Sequence, residues 1–180
     1  MKQYICIYCC LLIFLGCESE KAEWELESRS IDQLYSIQLP SNLNEGYDMH
    51  DYASLQFYDK NEDFYVLGME DAKDNLGEIN RRRLKLDGYY KFVENTVFGQ
   101  IDSVSLVGSQ KFETLGSQKG KAGDYFALSF YNDVMYELYY RVAVYETDTH
   151  FFQLVIWMPY DNYCEKMATI DKITYSFQAL

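Results

Sequence analysis

Proline is nearly missing from this chain: Pro40 and Pro159 are the two in 180 residues. Long proline-rich linkers are thereby excluded, and each proline marks where a regular run stops. Histidine is equally scarce, with His50 and His150 alone. No HxH or HExxH spacing exists, so imidazole-based zinc sites are excluded. Basic residues are also few. Sixteen Lys and Arg face 28 Asp and Glu, for a net charge of −12. Phosphate neutralisation needs clustered cations, so no nucleic acid is expected as a partner. Three of the five cysteines fall within the first ten residues, which leaves the body of the chain almost without thiols. Aromatics are what the chain has in excess: 18 Tyr, 11 Phe and 2 Trp. A domain near 150 residues buries roughly 70% of its unfolded surface, so a core this rich needs no disulfide.

The first residues carry a targeting pattern. Lys2 is a short positive region, and Tyr4–Leu15 is apolar but too short to span a bilayer as a helix. Gly16-Cys17 follows at once. This resembles the lipobox of bacterial lipoproteins, with Phe14 standing where leucine is usual. The resemblance implies removal of residues 1–16 as a signal peptide and acylation of Cys17 with palmitate-type chains. Each buried methylene contributes about 0.8 kcal/mol, so several chains give durable anchoring in the lipid bilayer. Cys6, Cys9 and Cys10 would leave with the signal peptide. With Cys17 acylated, Cys164 could form no intramolecular disulfide. Glu18–Glu27 reads as an acidic tether, and residues 17–33 form the lipidated, tethering segment. Residues 18–30 are expected to be flexible or weakly helical. Acids directly after the lipid cysteine resemble the surface-export signal of Bacteroidota-type lipoproteins; the plainer reading is a solvated spacer. The expected address is the bacterial cell envelope, at the outer membrane.

Residues 34–180 read as one domain organised around His150–Pro159. From Phe151 to Met158 only Gln153 is polar. Alternation puts Phe151, Val155 and Trp157 on one face, and Phe152, Leu154, Ile156 and Met158 on the other. A strand apolar on both faces must be covered on both. Further strands are expected at Leu34–Pro40, Ala53–Tyr58, Phe64–Met69, Val104–Val107, Gln110–Leu115, Ala122–Tyr131 and Met135–Tyr145. Glu70–Leu84 reads as a loop. Asp87–Gly99 reads as a helix with Tyr89, Phe92, Val93, Thr96 and Val97 on its buried face, capped by Asp87. Asp161–Phe177 reads as a second helix. Its stripe is Tyr163, Met167, Ile170, Ile173 and Phe177, and Asn162 with Glu165 resembles a capping box. The expected class is α/β in the α+β sense: an antiparallel meander with helices packed on it.

The order of elements carries a resemblance. A strand ending in Leu39-Pro40 opens the domain, and a helix follows a short hairpin. Then come a strand with the lead-in Gly120-Lys-Ala-Gly123, two long strands, and a closing helix ending Tyr175-Ser-Phe177. This is similar to the PsbP-like fold, shared by the extrinsic P subunit of photosystem II, a Ran-binding nuclear import factor and bacterial lipoproteins. The resemblance implies a binding or assembly module and no catalytic residues to carry over. Fold does not fix function in any case.

Several side-chain groupings have the spacing of a site. Asp59-x-Asn61-x-Asp63 with Glu70 has calcium-loop spacing, but Phe64 stands where glycine is needed, so a polar hairpin turn is expected. Asp48, His50 and Asp51 offer one imidazole only, and a polar loop is expected. Ser54, His50 and Asp48 lack a nucleophile-elbow context. Cys164 lies near the start of the last helix, where the dipole lowers a thiol pKa, but a half-buried apolar role is expected. Gly116–Gly123 follows no phosphate-binding pattern. Arg81, Arg82 and Arg83 form the one basic run and could grip a carboxylate or phosphate on a partner, but a solvated loop that neutralises Glu70, Asp71 and Glu78 is expected. Tyr131, Tyr139 and Tyr145 could form an outward stacking platform; filling the core is the plainer reading. No metal and no cofactor are expected. The expected function is a non-enzymatic protein-binding or assembly module that meets another envelope or surface protein. The alternatives are a small-ligand or glycan binder, and an immunity- or chaperone-like factor.

Overall fold

A computed structural model describes residues 24–76 and 85–180. The chain runs through β1 (Leu26–Ile31), β2 (Tyr35–Pro40), β3 (Asn44–Glu45), β4 (Leu55–Asp59) and β5 (Phe64–Ala72). A 3-10 turn, Lys73–Leu76, ends this part. Then come α1 (Leu86–Phe98), β6 (Ser103–Leu115), β7 (Gln118–Tyr131), β8 (Val134–Glu146) and β9 (His150–Pro159). A second 3-10 turn leads into α2 (Tyr163–Tyr175), and β10 (Gln178–Ala179) closes the chain. A seven-stranded antiparallel sheet has the order β3-β4-β5-β9-β8-β7-β6. A second sheet has the order β1-β2-β10.

The apolar ribbon β9 occupies the middle of the large sheet, paired with β5 on one side and β8 on the other. Both of its faces are covered, as its two-sided apolar pattern requires. Phe152, Leu154, Ile156 and Met158 join the larger core under α2 and the small sheet. Phe151 joins a second core under α1, with Leu86, Tyr89, Tyr90 and Val93. Each such side chain taken from water contributes about 1.5–3 kcal/mol. The result is three layers: α1, the large sheet, then α2 beside the small sheet.

The expected strands and both helices are present, with differences that have local causes. The stretch read as a tether contains β1, which pairs along its length with β2 from Leu26↔Pro40 to Ile31↔Tyr35. Sheet pairing outweighs its charge, and Trp24 packs edge-on against Phe64 at 5.0 Å. The loop expected from Glu70 begins later, because β5 runs on to Ala72 opposite His150. Two expected strands merge into β6, whose register with β7 shifts between Val107 and Lys111.

Helix α1 turns Tyr90 inward and leaves Phe92 exposed, so its buried face is shifted from the expected one. Asp87 does not cap it; the Asp87 carboxylate pairs with Lys121 of β7 at 3.3 Å. That ammonium is buried over the Tyr90 ring, 4.7 Å from its centroid. The helix start is thus tied to the sheet by a tertiary pair. Asn162 likewise makes no side-chain cap, although the α2 stripe seats Ile170, Ile173 and Phe177 in the core as expected.

Two glycines permit these approaches. At Gly116, φ is +67° and a methyl would collide with the Tyr175 carbonyl oxygen, so the β6–β7 turn sits tight under the end of α2. At Gly123 a methyl would collide with the Tyr90 hydroxyl. Gly116 and Gly123 therefore make room for the two helices.

Candidate binding groove and hairpin arm

The last turns of α1 and the edge strand β6 leave a cleft between them. Its volume is about 390 Å³, and Glu94, Phe98, Val104, Leu106 and Tyr125 line it together with Asn95 and Gly99. Local geometry explains the lining. Residues four apart on a helix share a face, so Glu94 and Phe98 point the same way. Alternate residues on a strand share a face, so Val104 and Leu106 lie together, opposite Ala127 and Tyr125 of β7. Val104 and Leu106 are 36% and 44% exposed, which is unusual for apolar side chains beside a core.

The polar side of the cleft is held by phenols. Tyr125 donates its hydroxyl hydrogen to Glu94 Oε1 at 2.7 Å. Its oxygen lies 2.7 Å from the Tyr90 hydroxyl. A carboxylate only accepts, so Tyr90 donates to Tyr125 and Tyr125 to Glu94. Burial raises both phenol pKa values well above the ordinary range, so both stay protonated and able to donate. Phe98 packs on Tyr125 with ring centroids 4.7 Å apart.

Beyond the cleft, β7 and β8 run past their neighbours. Pairing of β8 with β9 stops at Leu138↔Pro159, and pairing of β6 with β7 stops at Ser103↔Leu128. The residues further out form a two-stranded arm that turns at Asn132 and Asp133. Both have positive φ, 50° and 61°, as a tight two-residue hairpin requires. Phe130, Val134, Met135 and Tyr136 on this arm are 44% to 57% exposed. The Phe130 amide donates to an Asp102 carboxylate oxygen at 3.0 Å, which ties the arm to the loop after α1.

Of the candidate platform, Tyr139 and Tyr145 are fully buried, which corrects the outward reading. They share a strand face with Arg141, and that face is roofed by α2. Tyr145 donates to the Thr174 carbonyl at 2.6 Å, and Tyr139 donates to Asp124. Arg141, also buried, bonds Asp124 and Asp171, the latter at 3.0 Å. Burial alone would lower its pKa, but the neighbouring phenol and carboxylates carry it upward. This network pairs the charges that α2 covers. Tyr131 ends β7, but its side chain lies outside the described residues, as do Arg81, Arg82, Arg83 and Cys17.

The remaining candidates are not brought together. Asp59 accepts from the Asn61 amide at 2.9 Å and from Asn42 at 3.0 Å, so it shapes its own turn. Glu70 lies on β5 and accepts from Ser54. Ser54 in turn accepts from Tyr35 at 3.1 Å. His50 Nδ1 instead accepts from the Tyr52 amide at 3.3 Å. Gln56 organises the loop around Asp48 and Asp51, bonding the Met49 and His50 amides and the His50 carbonyl. Cys164 is exposed at the start of α2. Among the described residues, no cluster of three or more His, Cys, Asp or Glu could hold a metal ion.

No family model matches the sequence, and no curated protein matches it. Solved structures do match. Cyanobacterial PsbP (CyanoP) from Synechocystis superposes with a TM-score of 0.61 at 14% identity, over 92% of this chain and 99% of that one. The fold is PsbP-like. A mutant of the protein Mog1 superposes with a TM-score of 0.55 at 8% identity, over 86% of this chain and 95% of that one. LpqN of Mycobacterium tuberculosis, described as involved in cell envelope biogenesis, gives 0.49 at 10% identity, over 89% and 87% of the two chains. On the PsbP-like frame, the cleft and the arm share one end of the large sheet. Sequence reading missed both, though the alternation of Val104 with Leu106 and the spacing of Glu94 with Phe98 were visible signals. Chemically, this end offers apolar contact area, one oriented carboxylate and an aromatic wall.

Proposed function

We propose that this protein is a lipid-anchored module of the bacterial envelope that binds another protein and catalyses no reaction. The observation that carries this reading is the arm: four large apolar side chains stand exposed on one hairpin, Phe130 and Met135 on one face and Val134 and Tyr136 on the other. Clustered exposed apolar surface marks a protein interaction site. Aromatic and methionine side chains are the types enriched at such sites, and Phe130, Met135 and Tyr136 supply them. The anchoring part rests on Lys2, the apolar run Tyr4–Leu15 and the Gly16-Cys17 junction. The PsbP-like fold is compatible with a binding role and carries none of its own.

The test places a photo-crosslinking side chain at position 136 of the full chain in cells of its own organism, with a second at Asp74 as a control. A discrete protein adduct from position 136 that Val134→Asp, on the same face of the arm, abolishes is the expected result. Equal adducts from both positions, or none from 136, would remove the arm as a binding surface. The anchor has a separate readout: Cys17→Ser should move the protein from the membrane to the soluble fraction. Retention of that variant in membranes would refute acylation at Cys17.

A further inference from the structure

We propose that the outer edge of β6 accepts an extended, cationic segment of the partner protein as an added strand, with a Lys or Arg side chain seated against Glu94. This deepens the protein-binding reading and rests on it. It assigns a mode and a chemistry to the cleft, whereas that reading stands on the arm.

Among the described residues, nothing pairs with this edge. β6 is the last strand of the large sheet and, among the described residues, pairs only with β7. Long exposed edges are usually blunted by charge or proline. Ser103-Val-Ser-Leu-Val107 has neither, and it keeps a regular register with β7 from Ser103↔Leu128 to Val107↔Asp124. Irregularity begins only after Val107, where the register shifts. A five-residue stretch of regular, uncharged edge is thus available.

The cleft beside it fits alternate side chains of an incoming strand. Such a strand lies about 4.8 Å from its neighbour and sends every second side chain to one face. On the α1 face those side chains would enter the 390 Å³ cleft, over Val104 and Leu106 and against Phe98. Main-chain bonds then supply affinity and the cleft supplies selectivity, as in other cases of strand addition.

Charge selects the occupant. Among the described residues, Glu94 is the one charged residue lining the cleft. From Glu94 to Val107 the chain has two acids, Glu94 and Asp102, and no base. Lys91 lies one turn earlier on α1, outside the lining. The Tyr90–Tyr125 phenol chain orients the Glu94 carboxylate, and the rings of Phe98 and Tyr125 give a cation a π face. A second copy would bring the same acids to the same edge, and the chain as a whole carries −12. Like charges disfavour that arrangement, so the occupant is a basic segment of another protein.

The experiment uses the purified full chain and synthetic capped octapeptides alternating Val with Arg, and Val with Glu. Two further Val/Arg peptides carry N-methyl groups on the odd or on the even amides. Affinity is read by fluorescence anisotropy, and the binding place by exchange protection of backbone amides. The expected results are binding of the Val/Arg peptide but not the Val/Glu peptide, and protection within Ser103–Val107. One N-methylated peptide should lose binding while the other keeps it, because only alternate amides face the edge. Glu94→Gln should weaken binding about two- to fivefold, the scale of a partly exposed ion pair. Equal binding by both N-methylated peptides, or protection confined to the arm, would overturn strand addition. Equal binding of the Val/Glu peptide would overturn the cation preference. A dimer that protects Ser103–Val107 without peptide would give the edge to a second copy and overturn the proposal. Absence of peptide binding, with the crosslink at position 136 intact, would also overturn it and leave the protein-binding reading standing.

Discussion

Glu146 shows how one residue couples the structure to pH. It accepts from Lys73 at 2.9 Å and from Lys119. Burial alone would raise its pKa; the two ammonium groups outweigh that and hold it below the ordinary 4.5. A carboxyl whose folded pKa is depressed contributes stability above its unfolded value and loses it as pH falls through the folded value. Denaturant titrations between pH 7 and pH 3 should therefore find Glu146→Gln less stable than wild type near neutrality. The gap should close as pH falls below 4.5, and a gap independent of pH would exclude the ion pair as its source. Gly123 makes a steric prediction. Gly123→Ala sets a methyl against the Tyr90 hydroxyl and should cost about 1–3 kcal/mol. Adding Tyr90→Phe should recover part of that loss in chemical denaturation. No recovery would place the strain elsewhere.

Elements obey their periodicity where one neighbour decides their burial and depart from it where two compete. The α2 stripe faces one wide core, and Ile170, Ile173 and Phe177 are buried as their spacing implies. Helix α1 sits over β7, β8 and β9 but stops short of β6. Its true buried face therefore contains Tyr90 and excludes Phe92, a rotation that spacing alone could not choose. Asp87 and Asn162 were plausible caps by residue type, but Asp87 found a buried lysine instead. The β7–β8 arm depends on its turn, where Asn132 and Asp133 both hold positive φ. Glycine at the second position suits that geometry better, so Asp133→Gly should raise stability by about 0.5 kcal/mol. A higher urea midpoint with unchanged m-value is the expected signature. A lower midpoint would mean that Asp133 makes a contact worth more than the turn.

At the scale of the whole molecule, the decisive contacts join distant parts of the chain. β5 pairs with β9, and β10 returns to pair with β2 near the other end. Contacts of such separation carry loop-closure entropy before they bring any reward, so folding should be slow for the chain's size. Stopped-flow refolding is expected in the range of roughly 10 ms to 1 s. Submillisecond folding would contradict this topology. Phe152 lies where the sheet, the small sheet and the tail after α2 meet, packed on Tyr35 and Phe177 at 5.4 and 5.2 Å. Phe152→Ala should cost about 3–5 kcal/mol in a single cooperative transition. A loss confined to one part of the chain would show that the layers unfold separately.

Sequence alone determined the central ribbon, the mixed class, the two helices and the hairpin-linked strands, because each is written in the local repeat of apolar residues. It also determined the acidic, histidine-poor composition. Tertiary structure decided that Tyr139 and Tyr145 point inward under α2, that Leu26–Ile31 joins a sheet, and that α1 ends short of β6. Local repeat records which side of an element avoids water. It does not record which other element arrives to cover that side, nor where the covering element stops, and the open cleft and bare arm exist because it stops.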